Sequence, residues 1–116
     1  MSRVRALVAL SQIMRKGCYV DVSFSHLRIH GWGQNLDAAS IRLLSGALAN
    51  DELPPHISIN DTPLNSEYVS WIGEGVEASG TLSFLSLRNT NMDVDGARTL
   101  FGWIRGGGSL RILDLD

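Results

Sequence analysis

Three small constellations in this sequence invite a chemical reading. His26 and His30 stand four apart, the spacing of two metal ligands on one helical face. Their neighbourhood, HLRIHGWG, carries no helical period. In a strand the two imidazoles lie ~13 Å apart, too far to share one ion, and no acidic or cysteine partner adjoins them, so they read as surface histidines. Cys18 is the single cysteine. It excludes an internal disulfide framework and a cysteine-rich zinc site, and its setting is that of a buried structural thiol rather than a nucleophile. Gly106-Gly107-Gly108 follows a helical pattern, whereas a phosphate cradle precedes one, and so it reads as a helix stop. Asp93 and Asp95 suit a helix N-terminus, where carboxylates complement the dipole, and Glu74 and Glu77 suit a solvated helix face. Nucleophile-elbow, Walker and HExxH patterns are missing. The expected catalytic, cofactor and metal residues are therefore none.

Those side chains must be held by one small domain. The chain has 116 residues, 44% hydrophobic and 19% charged, with a net charge of -2. This balance excludes a disordered tail and offers no electrostatic footprint for nucleic acid. The longest apolar run, Ala6–Leu10, is far shorter than the ~20 residues of a membrane span, and no membrane partner is expected. Arg3, Arg5, Arg15 and Lys16 precede the first acid, Asp21. With Ser2 and Ser11 they imitate a mitochondrial presequence, but an ordinary basic-faced helix is the preferred reading, and a reducing, cytoplasmic location is expected with mitochondria as the alternative.

The organisation is periodic. Leu53 to Gly80 and Thr81 to Gly108 align as two 28-residue rows, and Ser109 begins a third. Ile57, Leu85 and Leu113 share one column, Ile59, Leu87 and Leu115 another, and Thr62 and Thr90 a third. The first two columns lie two residues apart, which is a strand with one buried face. Val69, Ile72 and Val76, matched by Ala97, Leu100 and Ile104, fall three and four apart, which is a helix face. Upstream, Leu36, Ile41, Leu44 and Leu48 continue the helical columns, as do Ala6, Ala9 and Ile13. The resulting division is a partial repeat 1–17, repeats 18–52, 53–80 and 81–108, and a partial repeat 109–116. Strands are expected at 19–24, 56–60, 84–88 and 112–115, and helices near 3–15, 37–49, 65–77 and 93–105. Row 18–52 is seven residues too long. The excess is assigned to an irregular excursion over 25–35, with Val22 and Phe24 buried. A competing register buries Leu27 and Ile29 instead, and one long or bulged strand would satisfy both.

Leu82-Ser83-Phe84-Leu85-Ser86-Leu87-Arg88-Asn89-Thr90-Asn91-Met92 resembles the LxxLxLxxNxL signature of the leucine-rich repeat family in its long, ribonuclease-inhibitor-like form, and Leu110-Arg111-Ile112-Leu113-Asp114-Leu115 matches as far as it runs. Thr62 and Thr90 replace the usual Asn, and Pro54 replaces a leucine. The resemblance implies an α/β solenoid, with parallel strands on a concave face and helices on the convex one. Outward columns would then be Asp21, His56, Phe84 and Ile112; Ser23, Ser58, Ser86 and Asp114; and Ser25, Asn60, Arg88 and Asp116.

Adjacent apolar groups on an open surface mark contact. The expected partner-binding residues on the concave face and C-terminal edge are His56, Ser58, Phe84, Ser86, Arg88, Ile112 and Asp114. Trp71 and Trp103 are expected to pack between helices, and Trp32 to lie in the excursion. The expected function is a non-enzymatic protein–protein interaction module, a fragment or subunit of a larger assembly whose stack another chain continues. The alternative is a regulator of an enzyme or small GTPase, inhibitor-like or GTPase-activating-like, since repeats of this form occur in both. An enzyme would need titrating side chains clustered on one face, and the columns supply none.

Overall fold

The computed structural model describes residues 3–105 and 108–115. In order they form α1 (Val4–Arg15), β1 (Tyr19–Val22), β2 (His26–His30), α2 (Ala38–Ala49), β3 (His56–Asn60), α3 (Ser66–Ala78), β4 (Phe84–Ser86), α4 (Val94–Ile104) and β5 (Ile112–Asp114). Three helices begin on side-chain caps that accept an N–H three residues on: Asp37 from Ser40 at 2.8 Å, Asn65 from Tyr68 at 2.8 Å and Asp93 from Gly96 at 2.7 Å. The caps recur with the row spacing, so one local signal starts each helix after its strand. Asp95 is the acid in the first turn of α4. Of the glycine run, Gly106 and Gly107 lie outside the described residues, and Gly108 has φ +94°, a left-handed backbone that glycine adopts without strain.

The strands form one sheet in the order β1-β2-β3-β4-β5. Neighbours from β2 to β5 are parallel, with Leu27, Ile57, Leu85 and Leu113 in one register line. These residues, with Ile29, Ile59 and Leu87, face the helices and pack with Ile13, Ile41, Leu44, Val69, Ile72 and Leu100 in one core. Burying such aliphatic side chains contributes about 1.5–3 kcal/mol each. The helices pack in sequence order on that side, leaving the other sheet face open. Trp103 fits the notch at Gly73 and donates from Nε1 to Ser70 Oγ at 3.3 Å, while Trp71 stacks on Tyr68 with the Arg42 guanidinium 4.2 Å from its ring. Burial and adjacency put these two indoles between or beside helices.

The expected solenoid of parallel strands is not what the chain forms. β1 runs antiparallel to β2, so the sheet is mixed rather than parallel throughout, and the body is compact, with extents of 32 × 32 × 21 Å. The cause is chain length. Only Ser23-Phe24-Ser25 join the two strands, enough for a hairpin and far too few for a parallel crossover. The excursion expected over 25–35 contains β2, and the competing register is the one adopted: Leu27 and Ile29 pair with Ile57 and Ile59. Val22 and Phe24, expected in the core, are 55% and 99% exposed. Residues 26–30 alternate polar and apolar without a break, which is the stronger strand signal. Constant spacing from the preceding helix is a weaker one. β4 and β5 are also shorter than expected, although Leu87 stays buried beyond β4 and its N–H donates to the Asp114 carbonyl at 2.8 Å.

Candidate functional site

The open sheet face is built by alternation. Residues flanking the buried positions point away from the helices and line up in rows across the strands. The first row is His26, His56, Phe84 and Ile112, and the second is Asp21, Arg28, Ser58, Ser86 and Asp114. The third sets Tyr19 beside His30 and Asn60. The hairpin thus replaces the expected Asp21, Ser23 and Ser25 column entries with His26, Arg28 and His30. Asp21 joins the face one strand further out. Asp116, expected to end the third column, lies outside the described residues.

All 3 histidines of the chain stand on this face, in different company. The His56 ring meets the Phe84 ring at 5.7 Å between centroids, and the His30 ring lies 5.0 Å from that of Trp32. His30 Nδ1 is 2.8 Å from Asp61 Oδ2. Asn60 Oδ1 accepts from Ser86 Oγ at 3.1 Å and from the Arg88 N–H at 3.0 Å, which fixes the floor where β4 ends. Arg88 Nε lies 3.3 Å from Asp114 Oδ2. Ser86, expected to bind a partner, is therefore buried and engaged, and Ser58 is half-buried beside it. Ser25, His26, Arg28, His56, Ser58 and Phe84 line a shallow concavity of 410 Å³. Ile112 projects beyond it, 57% exposed. Its walls offer aromatic edges, hydroxyls and one guanidinium, a mixture suited to a polypeptide surface.

One trio was not anticipated. Ser23 Oγ lies 3.1 Å from His26 Nδ1, and His26 Nε2 lies 3.2 Å from Asp21 Oδ2. The residues are those of a hydrolytic relay, but Ser23 Oγ also accepts the N–H groups of Ser25 and His26, both at 3.3 Å. Its lone pairs close the hairpin turn, and the trio acts as a clamp on that turn. The signal was present in the sequence as Asp21-x-Ser23-x-x-His26, and becomes legible only once residues 19–30 are read as a hairpin.

Among the described residues, no three or more His, Cys, Asp or Glu side chains are grouped to hold a metal ion. Cys18 is buried, its Sγ 3.9 Å from the Gly31 carbonyl oxygen, and burial pushes its thiol pKa up, the opposite of what a nucleophile needs. No helix among the described residues is long and apolar enough to cross a membrane. Comparison with protein families, curated proteins and solved structures finds no match to this chain.

Proposed function

We propose that this protein is a non-enzymatic recognition module that binds a partner protein through the open sheet face. The observation that carries the reading is the row His26, His56, Phe84 and Ile112, an apolar and aromatic strip laid across four adjacent strands with no layer over it. Rigid aromatic anchors set in a polar surround are the composition of interface centres. Arg28, Arg88 and Asp114 flank the strip and supply orientation rather than bulk affinity. The clamp on the β1–β2 turn and the Asn60 bonds hold the face in place before a partner arrives, which lowers the ordering cost of association. The buried, unpaired Cys18 fits a reducing compartment, and we assign the cytoplasm.

Site-specific photocrosslinking tests this reading. A benzophenone side chain at position 58 should form discrete adducts in cells, and the same group at position 74, on a helix, should not. The double substitution Phe84→Ala with Ile112→Asp should abolish the adducts while leaving the far-ultraviolet circular dichroism unchanged. Adducts confined to position 74, or adducts from position 58 that persist in the double variant, would overturn it.

A further inference from the structure

A second surface lies at the opposite end of the sheet, where β1 is an edge strand. The Ser23 N–H donates to the His26 carbonyl at 2.8 Å. In an antiparallel ladder this makes Asp21–Arg28 and Tyr19–His30 the other hydrogen-bonded pairs. The N–H and C=O groups of Val20 and Val22 therefore point away from β2, and among the described residues they meet no acceptor or donor. Where this edge ends at the hairpin turn, Val22 and Phe24 border a 650 Å³ groove that crosses the end of the sheet, its other apolar walls being Leu7, Leu10, Leu53 and Pro54. Phe24, at 99% exposure, stands at its mouth. An unpaired edge next to an apolar groove under a helix is the arrangement that captures an extended peptide. The edge supplies main-chain hydrogen bonds, and the groove takes apolar side chains at the end of the segment that passes Val22 and Phe24.

Charge decides the occupant. From Arg3 to Lys16 there is no acid. Arg5 is neutralised by Glu52 at 2.7 Å. Arg3 remains on the groove at one end of β1, and Arg15 and Lys16 lie at the other, with Asp37 close enough to Lys16 to feel its charge. Of the nearby acids, Asp21 is tied to His26 on the opposite sheet face, and Asp51, on the groove rim, accepts from Ser79, Gly80 and Thr81. A second copy paired edge to edge about a two-fold axis would bring like-charged ends of two α1 helices together, which is unfavourable. We propose that β1 accepts, as a sixth strand, an extended segment of another protein whose alternate residues are apolar and whose flanks are acidic.

The test titrates the labelled whole chain with a capped peptide of sequence EVTVTVE, followed by amide NMR. Shifts should centre on Val20, Val22 and Phe24 with an intermolecular contact to Leu7. The charge-reversed KVTVTVK should bind at least tenfold more weakly, and so should EVTPTVE, whose proline removes a ladder donor. Leu7→Glu, a change on an exposed helix face, should reduce affinity for EVTVTVE without altering the fold. Equal binding of the acidic and basic peptides, shifts centred on β5, or a concentration-dependent dimer of the free chain protected at Val20 and Val22 would each overturn the proposal.

Discussion

Leu85 and Phe84 are neighbours on β4 that face opposite ways, so truncating each separates the core from the proposed binding surface. Leu85 is 0% exposed and sits between Ile57 and Leu113 in the register of the parallel ladder. Backbone hydrogen bonds hold the strands on both sides, so a cavity there collapses little. Leu85→Ala should cost about 3–4 kcal/mol, the middle of the range for buried leucines. For a chain of this length the unfolding entropy converts 1 kcal/mol into about 4 °C, so the midpoint should fall by about 12–16 °C. Phe84 is half-buried, its ring against His56 at 5.7 Å. Phe84→Ala should lower stability by about 1 kcal/mol or less, or ~4 °C. Thermal unfolding followed by circular dichroism reads both. Binding should show the reverse order. Phe84→Ala should weaken a partner captured at position 58 by more than about 1 kcal/mol, while Leu85→Ala, assayed well below its midpoint, should retain affinity. A Leu85→Ala shift under ~4 °C, or equal shifts for the two variants, would refute the assignment of the two faces.

Gly31→Ala should destabilise strongly in urea unfolding, because a Cβ there would lie 2.7 Å from the Asp61 carbonyl oxygen and collide with Thr62, whereas Gly102→Ala, with nothing within 4 Å, should stabilise α4 by about 0.5–1 kcal/mol. Burial opposes ionisation of Asp51, but hydrogen bonds from Ser79, Gly80 and Thr81 outweigh it and hold the carboxyl below its ordinary 3.8. The native state then binds fewer protons than the unfolded one, so this contribution is present above about pH 4 and lost as pH falls through the lowered value. Asp51→Asn should accordingly flatten the acid limb of stability measured between about pH 5 and 2. Because burial raises the Cys18 pKa above 9.0, iodoacetamide at about pH 8 should label the folded chain far more slowly than the urea-unfolded chain.

The sequence by itself determined where periods change and therefore which residues face inward. Ile57, Ile59 and Leu87 alternate with polar neighbours, and Ile41, Leu44, Leu48, Val69, Ile72, Val76 and Leu100 end in the core where their spacing put them, because burying an apolar face is a local constraint that repeats with each row; Ala97 and Ile104 on α4 are only half-buried. Asp37, Asn65 and Asp93 are likewise local, each cap needing only the N–H three residues on. Phe84 and Ile112 could be named as one outward pair from alternation alone, and the ladder places them as register partners. Strand direction is different. Whether residues 19–24 or 26–30 join the parallel stack depends on which pairing the three-residue link permits and on which strand offers a continuous buried face to Ile57 and Ile59. The second segment wins, and the first is turned back as an antiparallel edge. That outcome exposes Phe24, gathers the histidines onto one face and creates the groove beside Leu7. None of these is encoded in any short window, because each arises from contacts between residues that the chain brings together only when it folds.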